Sequence, residues 1–250
     1  MLSPGIEKKL KIFSKRVGRG INRFKMITGG DRILIGVSGG KDSLALSLAL
    51  AQRKKWVPNR YELAARFIEW REYPLKEEER KNLEIFFASL SIPFEVIAAD
   101  MFSPVFKKPF NCYICSRNRK RILFESAESL GMNKIALGHH LDDVIETTLM
   151  NLFYKGEFST MMPVQDFFGG KLKIIRPMCE VREREIKSFV RRYPLPLVSN
   201  DCPNKDTSQR LVMKGLIKEL QRQNKKVGEN IYRAPWHVNY EYLPSSLNQD

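Results

Sequence analysis

The chain has few cysteines and no long apolar segment. Four cysteines in 250 residues are too few to hold a disulfide scaffold together. No apolar run approaches the roughly 20 residues that a membrane-spanning helix needs. The basic start of the chain is not followed by an apolar stretch, so we expect no secretory leader. These absences exclude disulfide-rich modules and membrane proteins, and they predict a cytoplasmic protein with no membrane partner.

Acidic residues are also scarce, with 28 Asp and Glu against 43 Lys and Arg and a net charge of +15. A chain this basic commonly binds a polyanion, and nucleic acid is the first candidate, although a basic face can also be merely solvated. Within residues 1–30 apolar side chains recur at three- and four-residue steps, which predicts a basic amphipathic helix that packs on a domain. The basic residues there are Lys8, Lys9, Lys11, Lys15, Arg16, Arg19, Arg23 and Lys25.

From residue 31 to 192 short apolar runs alternate with helical patterns. This alternation predicts an α/β fold with a doubly wound, mostly parallel sheet. The predicted strands are 33–37, 63–70, 94–99, 134–138 and 171–175, and the predicted helices between and after them are 42–50, 76–90, 115–130, 142–154 and 180–192. Residues 193–250 form a C-terminal extension with a proline-punctuated loop, a basic helix over 206–223 and a polar, irregular tail.

A glycine-rich loop follows the first predicted strand and reads Ser38-Gly39-Gly40-Lys41-Asp42-Ser43. A helix N-terminus after such a loop attracts phosphate, because its first amides have no partners within the helix. The loop is not a Walker A motif, because Ile35 stands where that motif needs its first glycine and Asp42 stands where it needs Ser or Thr. The sequence therefore predicts a phosphate-binding loop of another kind.

Two further groups of residues could carry chemistry. Cys112 and Cys115 stand one helical turn apart, a spacing that suits half a zinc site, a redox pair or an iron-sulfur cluster. Cys202 lies far along the chain in the proline-punctuated loop, and we expect Cys179 to be a buried, inert thiol. The segment Gly138-His139-His140-Leu141-Asp142-Asp143 joins a strand to a helix. Its carboxylates could bind Mg²⁺ or position a nucleophile, or they could simply cap the helix.

These groups, in this order, resemble those of a known enzyme family. Ser38–Ser43 resembles the pyrophosphate (PP) loop of the ATP pyrophosphatase superfamily, whose fold is of the adenine nucleotide alpha hydrolase type. With the cysteines, the His-His-Leu-Asp-Asp segment, Ile175-Arg176-Pro177, Arg182-Glu183 and Gln209-Arg210, the chain resembles the tRNA 2-thiocytidine biosynthesis family of tRNA-cytidine 2-sulfurtransferases. The resemblance extends from the N-terminal helix to the helix after Cys202.

The resemblance implies an enzyme that uses ATP, Mg²⁺ and a 4Fe-4S cluster to thiolate a cytidine in the anticodon loop of tRNA. It implies that Cys112, Cys115 and Cys202 hold the cluster. It implies nucleotide binding by Ser38, Gly39, Gly40, Lys41, Asp42, Ser43, Gly138 and His139, and catalytic roles for Lys41, Asp42, Asp142, Asp143 and Arg119.

Several points stay open at this stage. The sulfur donor could be a cysteine desulfurase or sulfide, and the chain could form a homodimer. Basic residues of the first helix, of 117–121 and of 214–226 are candidates for holding the RNA backbone. The alternatives are modification of another base to 2-thiouridine, a reaction of the lysidine-synthetase kind with an amine, and a non-catalytic RNA-binding protein with a zinc-held loop.

Overall fold

A computed structural model describes residues 4–101, 112–199 and 209–243. Over these residues the helices are α1 (Pro4–Arg23), α2 (Lys41–Lys54), α3 (Glu77–Ser89), α4 (Cys112–Ser129), α5 (Leu141–Lys155), α6 (Glu183–Val190), α7 (Gln209–Gln223) and α8 (Val227–Arg233). The strands are β1 (Arg32–Val37), β2 (Glu62–Trp70), β3 (Phe94–Ala99), β4 (Lys134–Ala136), β5 (Val164–Phe167) and β6 (Leu172–Ile175). None of the described helices is both long and apolar enough to cross a membrane.

The described strands form one six-stranded sheet in the order β3-β2-β1-β4-β6-β5. All neighbours are parallel except β5, which runs antiparallel to β6. The predicted doubly wound, mostly parallel sheet is therefore confirmed. The central strand β1 is fully covered at Ile33, Leu34 and Ile35, as expected for a strand with helices on both faces.

Two compact units make up the chain, one from residues within 1–141 and 162–206 and the other from residues within 142–161 and 207–250. The first unit contains the sheet together with α1 to α4 and α6. The second contains α5 from its second residue, α7 and α8. The division into 1–30, 31–192 and 193–250 stays a prediction.

The basic N-terminal helix packs on the sheet unit through its apolar stripe, as predicted. Leu10, Phe13, Val17 and Ile21 are buried, and α1 contacts both α2 and α6. The ring of Phe13 stacks on that of Phe189 in α6 with centroids 4.4 Å apart. The basic side chains of α1 are exposed beside this stripe.

Several element predictions were wrong. Strand β5 was missed, α4 begins at Cys112 rather than at 115, and β4 ends at Ala136. The irregular tail predicted from residue 225 instead contains α8 and two short 3-10 turns, at Ala234–Trp236 and Tyr240–Tyr242. Tyr232 anchors this part, since it is buried and its ring lies 5.0 Å from that of Trp236.

Candidate active site

The glycine loop connects β1 to α2 at the carboxyl edge of the sheet, where ligands bind in folds of this class. Gly39 has a φ of +75°, a conformation that L side chains rarely adopt. A Cβ atom at this position would also lie 2.5 Å from the Cβ atom of Val198. The backbone amide of Val198 donates a hydrogen bond to the Gly39 carbonyl at 3.0 Å. The loop therefore needs glycine here for both its conformation and its packing.

Two serine hydroxyls hold the loop in shape. The Ser43 Oγ atom accepts a hydrogen bond from the Ser38 amide at 3.2 Å and donates one to the Gly40 carbonyl at 3.0 Å. The Ser38 hydroxyl donates to the Ser43 Oγ atom at 3.2 Å. Gly40 occupies the N-cap position of α2, and no side chain caps the helix there. The amino end of α2 is thus built as an anion site, with amides that no capping side chain occupies.

Lys41 and Asp42 place both signs of charge at this helix end. The Lys41 Nζ atom lies 2.8 Å from Asp42 Oδ2 and 3.2 Å from Glu183 Oε1, at the start of α6. Partial burial works to lower the pKa of Lys41, but the two carboxylates outweigh it and raise the pKa above its ordinary value. Lys41 is therefore firmly cationic at neutral pH.

The second carboxylate oxygen of Asp42 is in a different position. Asp42 Oδ1 is buried and has no hydrogen-bond partner among the described residues. A buried carboxylate oxygen that lacks a partner is costly unless a cation or donor joins it. This carboxylate oxygen lies next to a phosphate-binding helix end, and it is a suitable ligand for a hard divalent cation such as Mg²⁺.

The Gly138-His139-His140 segment follows β4, the strand paired in parallel with β1. A Cβ atom at Gly138 would lie 2.9 Å from the Ser43 amide nitrogen, so this glycine permits close contact between the two loops. His140 is buried. The structure thus brings Gly138 against the glycine loop at the carboxyl edge of the sheet, as the parallel pairing predicted.

The two aspartates of this segment lie in the first turn of α5 and belong to the second unit. Within that unit, Arg210 of α7 donates a hydrogen bond from Nη1 to Asp143 Oδ1 at 2.8 Å. Its Nε atom is 3.7 Å from Oε2 of buried Glu146, one helical turn along α5. Burial raises the pKa of Glu146 to about 7, and the charge of Asp143 acts in the same direction against that of Arg210.

The cysteines are only partly within the described chain. Cys112 begins α4, its side chain lies outside what the structure describes, and Cys115 is half-buried one turn further along the same helix. Cys202 lies outside the described residues. Cys179 is fully buried, which confirms the predicted burial, and burial raises the pKa of its thiol to about 12.

Arg119 follows Cys115 by four residues, so the two side chains lie on one face of α4. The centre of its guanidinium is 5.5 Å from the ring centroid of Trp70, at the end of β2. Its Nε atom is buried and has no hydrogen-bond partner within the described chain. Arg119 is thus held by an aromatic ring with a donor still unused, an arrangement that suits a ligand acceptor.

Three residues of these sites were not assigned roles from the sequence, namely Glu183, Glu146 and Arg210. Glu183 and Arg210 stood in segments that carried the family resemblance, but only the fold shows that they contact Lys41 and Asp143. Glu146 could have been found from spacing alone. It follows Asp142 by four residues and Asp143 by three, the steps that place helical side chains together.

The fold and the loop define a class of protein. They are those of nucleotide-binding α/β proteins, in which a pyrophosphate loop leads into a helix that no side chain caps. Residues 7–220 match the family model described as the PP-loop domain. A tRNA-cytidine(32) 2-sulfurtransferase of Polynucleobacter asymbioticus is 34% identical over 247 residues, covering 97% of this chain and 78% of the relative. One of Geobacter sulfurreducens is 36% identical over 241 residues, covering 94% and 93% respectively. The chain belongs to the PP-loop family of tRNA-cytidine 2-sulfurtransferases.

Solved structures agree in fold. The U34-tRNA thiolase NcsA from Methanococcus maripaludis with its [4Fe-4S] cluster superposes with a TM-score of 0.73 at 21% identity, covering 91% of this chain and 78% of that one. An NH3-dependent NAD synthetase from Campylobacter jejuni gives a TM-score of 0.50 at 12% identity, covering 90% and 87%. The predicted fold of the adenine nucleotide alpha hydrolase type is thus confirmed.

Proposed function

We propose that this chain is an ATP-dependent tRNA sulfurtransferase that converts a cytidine of the anticodon loop to 2-thiocytidine. The observation that carries the proposal is the pyrophosphate loop, with Lys41 and Asp42 at its uncapped helix end. It occurs in a chain whose relatives are named for thiolation of cytidine 32. We take that cytidine to be the target base.

The reaction needs activation because the C2 oxygen of cytosine is a poor leaving group. In the first step this oxygen attacks the α-phosphorus of ATP, the α–β phosphate bond breaks, and pyrophosphate departs. In the second step a sulfur nucleophile attacks C2, and the oxygen leaves as part of AMP. The amides of the α2 terminus and the Lys41 ammonium are proposed to stabilise charge on the departing pyrophosphate.

Asp42 is the residue proposed to hold Mg²⁺, because its buried Oδ1 atom has no protein partner among the described residues. A magnesium ion usually combines one or two carboxylates with phosphate oxygens. Asp42 thus serves ATP, while its other oxygen keeps Lys41 in place. Gly138 and His139, which follow the neighbouring strand, are proposed to border the nucleotide.

Cys112, Cys115 and Cys202 are proposed to hold a 4Fe-4S cluster, like the one named for the thiolase of similar fold. Thiolates are the usual ligands of such clusters, so these three cysteines would suit one. When bound, the cluster would supply sulfur to the activated carbon. Arg119 lies on the cysteine-bearing face of α4 with a donor unused, so we assign it to the substrate or its phosphate.

Asp142 and Asp143 are proposed to act at the adenylated base. They lie in the first turn of α5, two and three residues after His140, and Arg210 fixes Asp143 by a charged hydrogen bond. Their negative charges in the first turn also stabilise the positive end of the helix. We place the reaction in the cytoplasm, with sulfide or a cysteine desulfurase as sulfur donor.

The test is a reaction of the anaerobically purified chain with ATP, sulfide and tRNA transcripts that carry either C or U at position 32. We expect AMP, pyrophosphate and 2-thiocytidine from the first transcript and none of them from the second. Formation of 2-thiouridine would move the target to another base. Incorporation of an amine without sulfur would contradict the assignment as a sulfurtransferase.

A further inference from the structure

A cleft of about 410 Å³ lies in the sheet unit, away from the pyrophosphate loop. Its walls are the second half of α1, the end of α2 and the connection that leads from α2 into β2. The pyrophosphate loop begins α2, and Arg53 stands near the end of that helix. At 1.5 Å per residue the two are about 18 Å apart along the helix axis. The cleft is therefore a separate feature at the amino edge of the sheet.

The cleft is cationic. Its lining includes Lys15, Arg19 and Arg53 and, over the described residues, no carboxylate. Lys15 and Arg19 stand four residues apart on α1 and therefore share one face of the helix. In contrast, Arg16 and Arg23 of the same helix form ion pairs with Glu185 and Glu180. Two arginines of α1 are thus neutralised by protein carboxylates, whereas Lys15 and Arg19 line a cleft whose described walls contain no carboxylate.

Arg53 is held in a defined position in this cleft. Its Nη2 atom donates a hydrogen bond to Asn22 Oδ1 at 2.8 Å, and its guanidinium carbon lies 5.3 Å from the ring centroid of Trp56. A Cβ atom at Gly18 would lie 2.2 Å from Arg53 Nη1, so the guanidinium packs closely against the bare backbone of this glycine. Burial lowers the pKa of Arg53, and no carboxylate of the described chain offsets this cost. An external anion would do so.

Trp56 adds a stacking surface beside these charges. Its side chain is 43% exposed although it is a large aromatic residue in a cleft wall. Cationic groups along a groove, next to an exposed aromatic ring, are the combination that binds single-stranded or looped nucleic acid. Phosphate contacts supply affinity, and the ring accepts a base of any identity.

We infer that this cleft binds a sugar-phosphate segment of the tRNA, with phosphates at Lys15, Arg19 and Arg53 and an unstacked base on Trp56. The inference rests on the proposed function, because it takes tRNA to be the substrate, and it adds a second place of contact. The cleft and the pyrophosphate loop are roughly 18 Å apart along α2, a distance that a few nucleotides of an RNA strand can span. One tRNA can thus contact the cleft while its target base reaches the other edge of the sheet.

The experiment compares tRNA binding by the full chain and by the K15A/R19A variant at several salt concentrations. Each phosphate contact contributes a slope of about 0.7 to 0.9 in log affinity against log salt, which amounts to about four- to fivefold per contact at 0.15 M salt. We expect K15A/R19A to bind tRNA about 15- to 30-fold more weakly, with a slope smaller by about 1.4 to 1.8.

Two matched variants accompany it. K15R/R19K keeps both charges and is expected to bind tRNA like the unmodified chain. K173A removes a lysine that pairs with Asp166 outside the cleft, and it is expected to change neither affinity nor slope by as much as twofold. The melting temperatures of all variants are measured in parallel, because both cleft residues are exposed and their loss should leave the fold intact.

Trp56 is tested separately with W56A and W56F. Loss of one stacked base weakens binding about fivefold or more, so we expect W56A to lose affinity and W56F to retain most of it. Equal tRNA affinities and slopes for K15A/R19A and K173A would overturn the inference and leave the proposed function standing. Failure of the unmodified chain to bind tRNA would overturn both. Binding of inorganic phosphate that depends on Lys15 and Arg19, without an effect on tRNA, would assign the cleft to a free anion instead.

Discussion

Lys41 and Asp42 are adjacent in the chain, yet their surroundings prepare them for different partners. Lys41 contacts two carboxylates, Asp42 and Glu183, and Glu183 also pairs with Lys187 at 3.0 Å. Asp42 uses one oxygen for Lys41 and keeps the other buried without a partner in the described chain. The lysine is therefore fixed by protein contacts, whereas the aspartate retains an unused ligand atom.

Replacing Asp42 by Asn keeps the shape of the side chain and removes its charge. We expect Asp42→Asn to lower the rate of tRNA-dependent pyrophosphate release about 100-fold or more, because a metal that neutralises developing phosphate charge is lost. Its melting temperature should change little. The matched control is Asp166→Asn, which breaks an exposed ion pair with Lys173 and should leave the rate unchanged. Equal rates for the two variants would contradict the assignment of Asp42.

Glu146 allows a prediction about pH, because burial raises its pKa from 4.5 to about 7. Between these values the folded chain holds a proton that the unfolded chain has released. The free energy of unfolding therefore falls as the pH rises through this range, by an upper bound of about 3 kcal/mol. We expect Glu146→Gln to remove this fall and to be more stable than the unmodified chain at pH 8. Denaturant unfolding from pH 4.5 to 8 measures it, and parallel curves for both proteins would refute the prediction.

At the scale of elements, the loop between β1 and α2 depends on a single glycine conformation. An alanine at Gly39 meets an unfavourable positive φ and would place its Cβ atom 2.5 Å from that of Val198. We expect Gly39→Ala to lower the free energy of unfolding by about 1 to 3 kcal/mol and to abolish pyrophosphate release. Gly29→Ala is the control, since a Cβ atom there would meet no other atom within 4 Å. Comparable unfolding curves and rates for the two variants would show that the loop tolerates a side chain.

The sequence predicted the elements that carry a strong period or a strong apolar run. β2 and β3 were predicted within one residue at each end, because their runs are long and bounded by polar or proline residues. Strand β5 was missed because Val164–Phe167 is short and two of its residues, Gln165 and Asp166, are polar and exposed. It is an edge strand, whose pairing with β6 rather than its own composition makes it a strand.

Part of the candidate site could likewise be predicted from the sequence, and part could not. The glycine loop was recognisable because its backbone requirements fix the residue types in a contiguous segment. Contacts between distant segments, such as Lys41 with Glu183 and Asp143 with Arg210, follow only from the fold. Burial of Glu146 could likewise not be predicted from the sequence, since a glutamate in a helical pattern ordinarily faces solvent.

At the scale of the whole molecule, some positively charged side chains form ion pairs within the protein and others do not. On α1 some arginines pair with acids of the segment around α6, while Lys15 and Arg19 face a cleft without carboxylates in the described chain. The net charge of +15 is therefore concentrated at places where basic side chains have no carboxylate of the described chain beside them. This distribution favours binding of a polyanion at defined positions over uniform attraction.

Cluster content is also a property of the whole chain, because its proposed ligands are drawn from α4 and from a residue some ninety positions later. We expect the anaerobically purified protein to be brown, with the broad absorbance near 400 nm that is typical of 4Fe-4S clusters and about four irons per chain. Cys112→Ser, Cys115→Ser and Cys202→Ser should each lose most of this iron and the sulfur transfer. Pyrophosphate release should persist in all three, since the ATP-binding loop is built by residues of β1 and α2.

The fourth cysteine is the control that separates ligation from damage to the fold. Cys179→Ala removes a thiol that is fully buried and whose raised pKa of about 12 keeps it protonated. Its loss leaves a small cavity and should lower stability by about 1 kcal/mol while leaving the iron content unchanged. Iron loss in Cys179→Ala equal to that in Cys115→Ser would show that the cluster responds to packing rather than to ligands. A colourless protein with one zinc per chain would instead support a zinc-held loop. It would also contradict sulfur transfer by a cluster, because zinc carries no sulfur to the activated base.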